Sequence, residues 1–120
     1  MSGPGVYDFS VYQGDTKKFS LVISAGPPPS GPYTPVDLTG CTILSQIRAT
    51  PGAAQPEATI TCAITDAVNG EVLLSMAPAV TAAMTAGSKV WDMEITFPSG
   101  DKYTYLKGAV TVVGDVTRAP

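Results

Sequence analysis

The chain has 120 residues; 44% are hydrophobic, only 14% are charged, and the net charge is −3 with no histidine. That length fits one domain, residues 1–120, built on a single sizeable core. No basic cluster exceeds Lys17-Lys18 and no apolar run nears the ~18 residues of a membrane span, so neither phosphate-backbone binding to nucleic acid nor membrane insertion is expected.

Residues 1–5 read as a short lead. They have neither the basic start nor the apolar run of a signal peptide, so nothing there is expected to direct export. Residues 6–12 form a first strand with Tyr7, Phe9 and Val11 on one side. Gln13-Gly14-Asp15 turns the chain into a second strand, 16–24, with Phe19, Leu21 and Ile23 facing in. Five prolines then crowd residues 25–35, including Pro27, Pro28 and Pro29, with Tyr33 among them. Proline donates no hydrogen bond, so this run cannot join a central sheet; it is either a semi-rigid connection or a protruding contact loop.

Residues 36–40 supply turn chemistry through Asp37, Thr39 and Gly40. A third strand follows at 42–49, a loop at 50–57, and a fourth strand at 58–65 with Ile60, Cys62 and Ile64 on one face. Asn69-Gly70 is the strongest hairpin signal in the chain and leads into a fifth strand at 71–76. Residues 77–87 are the one helical candidate, with Pro78 in the first turn and Gly87 as the stop. Residues 89–113 read as three more strands. Trp91, Met93, Ile95 and Phe97 alternate with Asp92, Glu94 and Thr96, which places Trp91 at the centre of the core. Pro98-Ser99-Gly100-Asp101 is a turn, and Gly108 permits a kink or bulge. Residues 114–120 are a polar tail. The pattern predicts an all-β fold: a two-sheet antiparallel sandwich of about seven or eight strands with one short helical turn.

Two cysteines, Cys41 and Cys62, are present. Pairing 42–49 with 58–65 as a hairpin would set position 45 opposite 62. That leaves the cysteines roughly 13 Å apart, too far for a disulfide.

Little in the sequence points to catalysis. Histidine, the usual general base and metal ligand, is absent, and no nucleophile elbow or phosphate-cradling glycine loop occurs. Asp92 and Glu94 sit two apart on one strand face, roughly 7 Å from each other. That spacing suits a hydrated cation or glycoside hydrolysis, but it also suits a solvated rim opposite an apolar face, and the rim is the reading adopted. Neither catalytic residues nor a cofactor or metal are expected.

The order of motifs carries a resemblance. Val11-x-x-Gly14-Asp15-Thr16, Pro35-Val36-Asp37-Leu38-Thr39-Gly40, Ile47-Arg48, Thr81-Ala82-Ala83-Met84, Trp91-Asp92 and a closing Asp115-Val116-Thr117-Arg118 follow one another along nearly the whole chain. This series resembles small β-sandwich virion proteins of tailed bacteriophages, similar to the N-terminal domains of upper baseplate proteins of lactococcal phages. The resemblance implies an immunoglobulin-like sandwich that acts as a non-catalytic assembly module on a tail, baseplate or fibre. It would sit in the virion beside other virion proteins, as one copy of a homo-oligomer in a symmetric assembly. The 25–35 loop is longer and richer in proline than that family's usual turn. A capsid decoration subunit and a free carbohydrate-binding sandwich, with Tyr33, Tyr103 and Tyr105 as candidate platform residues, are the alternatives. Expected protein contacts are the arm with Tyr7, the loop with Pro27, Pro28, Pro29 and Tyr33, and the tail with Asp115 and Arg118.

Overall fold

The computed structural model describes residues 5–24 and 35–114. The fold is all-β: eight strands and one short helix. The strands are β1 (Gly5–Val6), β2 (Phe9–Tyr12), β3 (Lys17–Val22), β4 (Thr42–Arg48), β5 (Ala58–Asp66), β6 (Glu71–Met76), β7 (Gly87–Thr96) and β8 (Lys102–Val113); α1 (Pro78–Ala82) lies between β6 and β7. Their hydrogen-bonded order is β1-β8-β7-β4-β5-β6-β3, with β2 beside β8 as well.

The path is continuous because β5 serves two neighbours. Its first residues pair with β4, as in Ser45↔Ile60, and its later residues pair with β6, as in Cys62↔Leu74. A strand that changes partners turns the corner between two layers, which curls the ladder into a half-barrel rather than leaving two separate sheets. Most pairings are antiparallel, as expected. The N-terminal strands depart from that pattern: β1 and β2 both run parallel to β8.

Alternation fixes the faces. Trp91, Met93 and Ile95 on β7 are buried, as are Val72, Leu74 and Met76 on β6 and Val110 and Val112 on β8. Leu38 is fully buried beneath the Asx turn in which Asp37 Oδ1 accepts from Thr39 N and Thr39 Oγ1. Phe9 and Phe19 bring the two ends of the sheet together, with centroids 5.0 Å apart, and the Tyr7 ring stacks on Phe19 at 5.5 Å. The Lys17 ammonium lies 5.7 Å from the centroid of Phe9. Rings and a cation thus bridge the seam between β2 and β3, where no ladder is formed.

Several boundaries differ from the sequence reading. The first strand breaks at Tyr7-Asp8. There Tyr7 N donates to Lys107 O, and the Asp8 carboxylate accepts from Ala109 N in place of a backbone carbonyl. The 89–113 stretch is two long strands rather than three. Its bulge lies where Met93 faces Leu106 and Glu94 faces Thr104, so Tyr105 is the extra residue. Gly108 stays in the ladder opposite Trp91; its role is close approach, since a Cβ there would lie 2.1 Å from Tyr7 O. The helix ends at Ala82, and Gly87 opens β7 instead of closing the helix. Asn69-Gly70 is not a two-residue hairpin: Asp66 pairs with Glu71 and four residues intervene. Gly70 N donates to Ala67 O, and only Gly70 takes positive φ, at 70°. Both cysteines are free thiols, and the observed register between β4 and β5 is two residues off the one expected.

Candidate functional site

Of the contact residues expected from the sequence, Tyr7 alone falls within the described residues. Pro27, Pro28, Pro29, Tyr33, Asp115 and Arg118 lie outside them. Tyr7 is held from three sides. Its ring stacks on Phe19 and meets Trp91 edge-on at 6.4 Å, and its carbonyl accepts a 2.6 Å hydrogen bond from Trp91 Nε1. Part of the ring remains exposed, so Tyr7 both seals the seam and offers surface. Trp91 sits in the core as expected, and its N–H is used by Tyr7.

A concavity lies on the outer face of the half-barrel. Inward positions of β7 are the odd ones from 89 to 95, so Val90, Asp92 and Glu94 point outward. The register aligns Gln46, Asp92 and Lys107 in one row across β4, β7 and β8, and Arg48, Val90 and Ala109 in the next. Cross-strand neighbours stand about 5 Å apart, so these side chains share one surface. Val6 and Pro51 border it, enclosing a groove of ≈ 520 Å³. That is within the range of about 300–1,000 Å³ common for binding clefts.

Two of the polar groups are pre-positioned. Arg48 Nη1 donates to Ala53 O at 2.7 Å and Nη2 donates to Gln46 Oε1 at 2.9 Å, which holds the guanidinium in place on the wall. Burial and the neighbouring Glu94 carboxylate push Asp92 up from the ordinary carboxylate value, while Arg48 opposes them. Neither Arg48 nor Lys107 forms an ion pair among the described residues; the one present joins Lys89 to Glu57 at 2.9 Å. Sequence reasoning picked out Asp92 and Glu94 and put them on the solvent face. It missed Gln46, Arg48 and Lys107, which become neighbours of Asp92 only once the register is known.

A second feature bears on the carbohydrate alternative. Phe97, Tyr103 and Tyr105 cluster at one end of the sheet with centroids 6.1–6.5 Å apart and interplanar angles of 58°, 63° and 89°. Tyr105 is half-buried, and burial raises its phenol. The rings stand tilted or edge-on to one another rather than coplanar, and Tyr103 remains 42% exposed. Among the described residues no group of three His, Cys, Asp or Glu side chains is placed to hold a metal ion, and no helix is long and apolar enough to cross a membrane.

No protein-family model matches the chain, and no curated protein sequence does. Solved structures with a similar fold include AggA, the major subunit of aggregative adherence fimbriae type I from Escherichia coli, with a TM-score of 0.43 and 14% identity over 93% of this chain and 91% of that one. An internalin-like protein of Listeria monocytogenes matches with a TM-score of 0.43 and 16% identity, over 92% of this chain and 29% of its own. A family 123 glycoside hydrolase from Clostridium perfringens matches with a TM-score of 0.44 and 11% identity, over 95% of this chain and 24% of its own. With TM-scores below 0.5, none of the three bears on what this chain does.

Proposed function

We propose that the chain is a structural docking module of a tailed-phage virion, in the tail, baseplate or fibre, and that it acts by contact rather than catalysis. The order of sequence motifs suggests the setting. The structural observation that carries the reading is the placement of exposed apolar side chains on the strands that end the sheet. Val6 on β1, Tyr12 on β2 and Val22 on β3 are 69%, 54% and 58% exposed. Large apolar side chains gathered on sheet edges are the composition of a surface that a neighbour covers. Each of these side chains projects outward from a strand at the edge of the ladder among the described residues, where a partner can cover it without parting the ring-sealed seam between β2 and β3. In this reading neighbouring virion proteins, and further copies of the chain arranged by the particle's symmetry, bury these edges.

The test is immunogold labelling of intact particles with antibody against the chain. Label on the tail, its tip or its fibres is the expected result. Label spread over the head would replace the adaptor reading with a capsid decoration subunit. Absence of the chain from purified particles by mass spectrometry would overturn the virion reading.

A further inference from the structure

We infer that the outer-face groove seats an extended acidic segment of a neighbouring protein, with a carboxylate held between Arg48 and Lys107. This rests on the docking function proposed above and names the chemistry of one partner. Two cations and one carboxylate line the groove, in a chain whose net charge is −3. The Arg48 guanidinium is anchored by Ala53 O and the Gln46 amide, which leaves three of its five donors for a ligand. Lys107 stands on β8, two strands from Arg48 and one row along, with β7 and Asp92 between them, and forms no ion pair among the described residues; both long side chains can reach over β7 to one ligand. Fixed guanidinium donors on one side of the groove and an ammonium on the other are matched to a carboxylate laid across β7.

The rest of the groove argues for peptide over sugar. Its apolar lining includes Val6 and Val90, and Trp91 is only 3% exposed, so the groove presents no open tryptophan face to a pyranose ring. An extended peptide repeats a side-chain direction every ~7 Å. It can therefore place one carboxylate on the Arg48–Lys107 pair and a flanking apolar side chain against Val6 and Val90. Asp92 repels a second carboxylate in the same place and so helps set the register.

The experiment is nuclear magnetic resonance titration of the full chain. The probes are a capped hexapeptide with valine and glutamate two residues apart, Val-Ser-Glu-Ser-Val-Ser, the same peptide with glutamine for glutamate, and a hexuronate oligosaccharide. Saturable shifts confined to the Arg48 side chain and the amides of Val90, Asp92 and Lys107, seen with the glutamate peptide only, are the expected result. Lys107→Gln should weaken that binding about tenfold or more, the size of one charge-assisted hydrogen bond, while Lys102→Gln, off the groove, should leave it unchanged. No saturable shift, an equal response to the glutamine peptide, or a response to the saccharide alone would overturn the inference. Tail-labelled particles with a groove that ignores the peptide would sink this inference alone. Absence from particles would sink the proposed function whatever the peptide does.

Discussion

Glu57→Gln probes the one ion pair among the described residues. Lys89 occupies an inward position of β7 and is 8% exposed. Its ammonium lies 2.9 Å from Glu57 Oε2 and donates to Thr85 Oγ1 at 2.7 Å, while Glu57 Oε1 accepts from Thr85 N at 3.1 Å. The cluster ties the loop before β5 to the turn before β7. Removing one partner of a buried pair costs about 3–5 kcal/mol, because the other charge is left uncompensated. Glu57 keeps some solvent contact, and glutamine retains a carbonyl acceptor, so about 2–3 kcal/mol is expected here. At about 2 cal/mol/K of unfolding entropy per residue, that lowers Tm by about 8–12 °C, read by thermal circular dichroism. Adding Lys89→Met removes the stranded ammonium and should restore about half of the loss. Hydrogen bonds from Lys89 and Thr85 hold Glu57 below its ordinary value of 4.5, although burial works the other way. Its contribution is therefore fully present above pH 4.5 and is lost as pH falls through the lower folded value, a dependence absent from Glu57→Gln. A Tm drop under about 3 °C, or no recovery in the double variant, would refute the reasoning.

Gly108→Ala puts a Cβ against Tyr7 O and should shift β1 off β8, costing about 2 kcal/mol or more and changing Trp91 fluorescence as its hydrogen bond to Tyr7 weakens. Thr81→Val keeps shape but strands Asp15 O, which accepts from Thr81 Oγ1 at 2.7 Å, so urea unfolding should show a loss of about 1–2 kcal/mol at unchanged m. Burial pushes the Cys62 thiol up to about 11, so its iodoacetamide labelling should keep accelerating well above pH 9; a plateau near pH 9 contradicts the packing.

Period-two alternation made most of the ladder legible. Strand β6 falls at the residues expected, and the buried set Trp91, Met93 and Ile95 follows directly from parity. What escaped was set by distant partners. The break at Tyr7-Asp8 exists because Asp8 caps Ala109 N across 101 residues, and nothing local to residues 6–12 marks it. The parallel pairing of β2 with β8 depends on which edge the chain meets, a choice that alternation does not encode. The Lys89 clamp was readable in principle: a lysine at the inward parity of Trp91 requires a buried counter-charge. Helix α1 ends at Ala82 with Ala83 as its C-cap, and Gly87, permissive in either setting, takes the φ of 128° at which β7 begins.

The two ends of the sheet bear on where a partner of the proposed kind could dock. Strand β3 turns Lys18, Ser20 and Val22 outward, and the Lys17 ammonium covers the Phe9 and Phe19 rings at the seam. Charged residues on an edge strand oppose indiscriminate strand addition. A strand entering between β2 and β3 would also have to part the Tyr7, Phe9 and Phe19 rings, whose contacts are worth about 0.5–1.5 kcal/mol each beyond their burial. The outer groove carries no such cost: β4, β7 and β8 beneath it are already paired on both sides, and Arg48 is already held by Ala53 O and Gln46. The proposed docking would therefore cost least on the outer face, which Val6, Arg48 and Lys107 line. The seam is built to stay shut.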